Sequence, residues 1–109
     1  MTSLPPSTRR ALSVLICCTA LSAHAQTQAT SSLQVRSLAA TCAACHGTDG
    51  NAEAGAGLIG LKGRDKVYLA AQLTAFKDGT RPATVMHQIA KGYTPAQIDQ
   101  LAAYFAAQK

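Results

Sequence analysis

Cys42-Ala43-Ala44-Cys45-His46 constrains this chain more than any other stretch. Two cysteines three apart, just after a helical pattern, lie on one face, and each can form a thioether to a vinyl group. The histidine beside them can give iron an axial nitrogen. This is the covalent attachment signature of a c-type haem. The spacing predicts haem c bound through Cys42 and Cys45, with His46 on the metal. Only one such motif occurs, hence one haem. The remaining residues then choose the second axial ligand, exclude water and present a haem edge to partners.

The first 25 residues read as a secretory signal peptide. Arg9 and Arg10 precede an apolar run from Ala11 to Ala23, and Ala23-His24-Ala25 is a small-x-small cleavage site. The run is about thirteen residues, short of the roughly 20 that a membrane-spanning helix needs. Two other readings fit less well. Val14-Leu15-Ile16-Cys17 has a bulky Ile16 where a lipoprotein site wants a small residue, and Thr8-Arg9-Arg10 is ordinary charge ahead of the apolar run as well as a twin-arginine pattern. The expectation is removal of residues 1–25, a working domain over 26–109, and a periplasmic location.

Cleavage after Ala25 also removes Cys17 and Cys18, leaving Cys42 and Cys45. A disulfide between so close a pair would staple very little chain. A zinc site lacks a second cysteine pair, since His87 is the only other histidine left. A thioredoxin-like redox pair would need a preceding strand and a βαβ setting that this sequence lacks.

Removing 25 of 109 residues leaves 84, with no Trp, two Phe and three Tyr, a thin supply of large apolar groups for a core. A haem would supply the missing apolar plate. The formal charge of +5 falls to about +3 once Arg9 and Arg10 leave. The remaining basic residues are scattered and no recognition motif accompanies them, which excludes nucleic-acid binding. Some lysines either steer an acidic partner to the haem edge or simply keep the chain soluble.

Along the chain, residues 26–32 read as a polar lead-in, with Ser31 or Ser32 capping a first helix. Val35, Leu38, Ala39 and Cys42 make one stripe of that helix. Gly47 to Gly63 reads as a glycine-rich loop wrapping one side of the haem, where backbone without Cβ atoms can approach the ring. Asp65 caps a middle helix with Leu69, Leu73 and Phe76 on one face, and Asp78-Gly79 stops it. Thr80 to Gly92 is mostly irregular, with a short helix around Val85 to Ala90. Thr94-Pro95-Ala96-Gln97 opens the last helix with a capping box and a first-position proline, and Ile98, Leu101, Ala102 and Phe105 are its stripe. No strand pattern competes.

Met86 is the sole methionine after cleavage and lies in the irregular segment between two helices, which makes it the candidate second axial ligand. His87 is its rival; two sequence neighbours cannot both face the iron. The second ring nitrogen of His46 needs an acceptor, and the backbone of Leu58 to Gly60 is a candidate. Tyr68, Tyr93 and Tyr104 either bond a propionate or fill the core; Arg81 and Lys91 either pair with propionates or remain solvated.

Thr41-Cys42-Ala43-Ala44-Cys45-His46-Gly47, a helix, Met86 and a terminal amphipathic helix together resemble the small monohaem class I cytochromes c, from about Leu38 to Gln108. Tyr68-Leu69, Gln72-Leu73, Phe76-Lys77-Asp78-Gly79, Arg81-Pro82-Ala83-Thr84-Val85-Met86 and Ile89-Ala90-Lys91-Gly92-Tyr93 look like the cytochrome subunit of flavocytochrome c sulfide dehydrogenases. The resemblance implies an all-α, haem-wrapped domain with crossed N- and C-terminal helices. It further implies His46 and Met86 as axial ligands, and electron transfer without substrate bond breaking. The partner would be a flavoprotein dehydrogenase subunit that oxidises sulfide. Some members carry two haem domains; this chain has room for one. Ile59 replaces the proline of a Pro-x-Leu-x-Gly turn; the carbonyl at Ile59 can still hold the His46 ring, but the turn lacks a fixed φ. Two other readings stay open: a free soluble carrier between respiratory complexes, and a ligand-binding or sensing haem protein with Met86 off the iron.

Overall fold

The computed structural model describes residues 31–55 and 57–109; the expected signal peptide, its cleavage site, Cys17 and Cys18 lie outside them. The chain divides into two units, Met1–Leu33 and Gln34–Lys109. Of the first, only 31–33 are described, as helix. The described residues are helical, with no strand among them. Helix α1 covers 31–40, α2 Ala43–His46, α3 Lys66–Lys77, α4 Met86–Lys91 and α5 Pro95–Ala106, with a 3₁₀ turn at Thr48–Gly50. Residues 31 and 32 are both helical, so neither Ser31 nor Ser32 stands as the expected non-helical cap.

Helix α5 follows the sequence expectation most closely. The Thr94 hydroxyl accepts from Gln97 N, the Gln97 side chain accepts from Thr94 N, and Pro95 stands at the first helical position. This satisfies two backbone donors that a helix start leaves orphaned. Ile98, Leu101, Ala102 and Phe105 are all buried. Each large apolar side chain so buried contributes about 1.5–3 kcal/mol relative to an exposed one. The core joins Leu101, Ala102 and Phe105 to Leu69 of α3 and Ala39 of α1. Ala39 thus brings the first helix into the same core as the last.

Helix α3 packs against both α4 and α5. Asp65 caps it, its carboxylate accepting from Tyr68 N at 2.8 Å, and Gly79 at φ 75° follows its end. The segment between α2 and α3 is irregular apart from the 3₁₀ turn, and cross-bonds hold it down. Leu61 N and Lys62 N both donate to Gly50 O, at 2.9 and 3.1 Å, and Gly63 N donates to Phe105 O at 2.9 Å. Gly50 has φ 77°, and a Cβ there would stand 2.9 Å from both Leu61 Cβ and Phe105 Cδ1. That glycine serves the packing of loop on helix. No described residue belongs to a helix long and apolar enough to cross a membrane.

Candidate functional site

An apolar cleft with about 1140 Å³ of free space, counted out to its open mouth, lies among α2, the loop after it, α3, α4 and α5. Cys42, Cys45, His46 and Met86, four residues singled out in the sequence, all line it. Leu69, Leu73 and Phe76 of α3 and Leu101, Ala102 and Phe105 of α5 form much of the remaining wall. Leu58, Ile59, Val85 and Ile89 border the cleft and are 43–53% exposed, an apolar surface open to a large apolar group.

The short helix α2 sets the positions of Cys45 and His46. Cys42 O accepts from His46 N at 2.9 Å, and Ala43 O accepts from Gly47 N at 2.9 Å. Gly47 has φ 78°, and a Cβ there would fall 2.1 Å from Asn51 O, so only glycine allows the chain to turn away directly after His46. The His46 ring is held from the loop: Nδ1 lies 2.7 Å from Ile59 O. A carbonyl only accepts, so Nδ1 carries the proton, and in the neutral ring Nε2 is the nitrogen with the lone pair. The acceptor falls within the Leu58–Gly60 backbone that the sequence pointed to. No glycine lines the cleft, however; Leu58 and Ile59 face it, and the loop glycines mainly permit the loop's own turns.

Cys42 and Cys45 are free thiols, the first half-buried and the second exposed. Burial pushes the Cys42 thiol up from its ordinary value, partly offset by the nearby Thr41 and Tyr93 hydroxyls. Those hydroxyls are 3.0 Å apart, and Thr41 also donates to Leu38 O at 2.7 Å. Tyr93 therefore ties the segment after α4 to the cysteine motif.

Met86 is the first residue of α4, the short helix expected around Val85 to Ala90. His87 does not line the cleft, and its Nδ1 is buried without a hydrogen-bond partner. Of the tyrosines, Tyr68 and Tyr93 line the cleft, whereas Tyr104 does not and donates to Asp49 Oδ1 at 2.5 Å. Arg81 lines the cleft, its guanidinium 4.5 Å from the Phe76 ring and donating to Gln72 Oε1, while Lys91 is absent from the wall. Arg64 was not foreseen. It lines the cleft, its Nε donating to Gly60 O at 2.5 Å and its guanidinium 6.0 Å from the Tyr68 ring. Its partner is a backbone carbonyl, which leaves no trace in side-chain spacing.

The residues present fit a haem: two unbridged thiols, an imidazole with a bare nitrogen and a thioether share one apolar cleft. Comparison with known proteins agrees. Residues 34–109 match the family model for cytochrome c. The chain is 43% identical over 68 residues to the cytochrome subunit of sulfide dehydrogenase of Chlorobaculum tepidum, covering 62% of this chain and 60% of that protein. It is 44% identical over 71 residues to a thiosulfate dehydrogenase electron acceptor of Thiomonas intermedia, 65% of this chain but 33% of the relative. Against cytochrome c-554(548) of Halomonas halodenitrificans it is 38% identical over 72 residues, covering 63% of this chain and 86% of that one. The chain thus spans under two thirds of the first two relatives and most of the third. The cysteine pair that haem c requires is present as Cys42 and Cys45, and the chain belongs to the cytochrome c family.

Proposed function

We propose that this chain carries one haem c, attached through Cys42 and Cys45, and works in the periplasm once residues 1–25 are removed. It accepts electrons from a flavoprotein dehydrogenase acting on sulfide. The observation carrying this reading is the meeting of Cys42, Cys45, His46 and Met86 in one apolar cleft, with His46 Nδ1 held by Ile59 O. The bound haem supplies one-electron chemistry at its iron. His46 Nε2 and the Met86 thioether would hold the iron, a pair that favours the reduced metal more than two nitrogens do. The apolar walls from α3 and α5 exclude water, and Ile59 O fixes the His46 ring. The sulfide assignment draws on the Chlorobaculum tepidum relative. A free carrier is the second reading, favoured by the match over 86% of the small cytochrome c-554(548); copurification with a flavoprotein separates the two.

Replacing the axial thioether tests the ligand set. In the haem-loaded protein, Met86→Ala abolishes the weak far-red sulfur-to-iron absorption band and opens the site to carbon monoxide, whereas His87→Ala leaves the spectrum unchanged. A wild-type protein without that band, or a His87→Ala protein that loses its low-spin spectrum, overturns the assignment of Met86.

A further inference from the structure

The Ile59 carbonyl that holds His46 sits in a stretch with little stiffness of its own. Residues 51–64 contain four glycines and no proline. Downstream, Leu61, Lys62 and Gly63 are bonded to Gly50 O and Phe105 O. Between that tethered part and Ile59 lies Gly60, which as a glycine constrains its own backbone torsions little. The Gly60 carbonyl is held by a side chain, accepting from Arg64 Nε at 2.5 Å. Arg64 immediately precedes Asp65, the capped start of α3, and its guanidinium lies 6.0 Å from the Tyr68 ring in the first turn. One side chain thus ties the carbonyl next to the histidine's acceptor to the rigid start of a helix.

We propose that Arg64 is a positioning residue for His46: by holding the Gly60 carbonyl it orients the adjacent Ile59 carbonyl toward His46 Nδ1. The inference rests on the reading of His46 as an axial ligand. A well-aligned acceptor makes the imidazole a more basic ligand and favours the oxidised metal. Loosening the acceptor raises the reduction potential. Removing a positive charge from the cleft would lower it, because the oxidised metal carries one more positive charge. The two roles of Arg64 therefore predict opposite signs.

The test is Arg64→Lys in the haem-loaded protein, which keeps the charge and removes Nε. Arg64 is exposed, so the fold does not depend on its burial. Exchange of the His46 Nδ1 proton, followed by NMR in the reduced state, quickens by about tenfold as the local opening becomes easier, and the potential rises. Adding Ile59→Pro, which fixes φ at that residue, returns both toward wild type. Unchanged exchange and potential in Arg64→Lys, or a potential that falls, overturns the proposal. Failure of the ligand reading looks different: wild-type His46 ring resonances would then lack the large displacement that a haem directly above them produces.

Discussion

Gly50 shows how one missing methyl group can be decisive. Its φ of 77° strains any L side chain, and its Cα faces Leu61 and Phe105 at a distance that leaves no room for a Cβ. Gly50→Ala combines a left-handed backbone cost with overpacking, each about 1–3 kcal/mol, and should destabilise the haem-loaded protein by at least about 2 kcal/mol in denaturant unfolding. Other residues divide according to what fixes them. Cys42, Cys45 and His46 are legible because five consecutive residues carry the whole pattern. The acceptor for His46 was legible as the Leu58–Gly60 backbone and, through the family resemblance, as the Ile59 carbonyl, which is where the structure has it. Arg64 was not legible: its partner is a carbonyl whose place depends on bonds to Gly50 O and Phe105 O, remote in sequence.

Elements were readable where the ends are chemically marked. Thr94, Pro95 and Gln97 announce α5, and Asp65 announces α3; both caps form as expected. Thr94→Ala removes one acceptor from the start of α5 and should cost about 1 kcal/mol, lowering the thermal midpoint by roughly 4–8 °C in a domain this small. Helix α4 begins at Met86 with no side-chain cap, so the sequence marked it only as a short helix around Val85 to Ala90 without chemically fixed ends. Its position comes from packing on α3 and from the Lys77 side chain donating to Tyr93 O. The 3₁₀ turn is tied to α5 by Tyr104 and Asp49. That hydrogen bond to the carboxylate, with burial second, raises the Tyr104 phenol above the ordinary tyrosine value. A raised value in the fold means that the neutral phenol's contribution is complete below about pH 10, the ordinary value, and fades as pH climbs through the raised one. Above pH 10, wild-type stability should therefore fall more steeply than that of Tyr104→Phe, as followed by chemical unfolding at successive pH values.

At the scale of the whole molecule, the core is thin. Among the described residues Leu101 is the largest side chain with under 2% exposure, and several large apolar groups stand open around the cleft. Much of the stability must then come from whatever fills that space. A Cys42→Ala/Cys45→Ala protein, unable to attach haem, should show no sharp thermal transition by circular dichroism and weak near-ultraviolet signal; a cooperative melt close to that of the loaded protein would contradict this. The all-helical class was legible from the absence of any alternating pattern, and the meeting of α1 and α5 follows from two stripes that each need a partner. The hydroxyl of Tyr93, resting on Thr41 beside Cys42, carries a last consequence. It comes from a segment some fifty residues further along, so this latch closes only after the C-terminal half has docked. On the proposed reading, the sulfur of Cys42 is most accessible while the polypeptide is still open. A pigment joined at that stage would act as the template around which the later helices assemble.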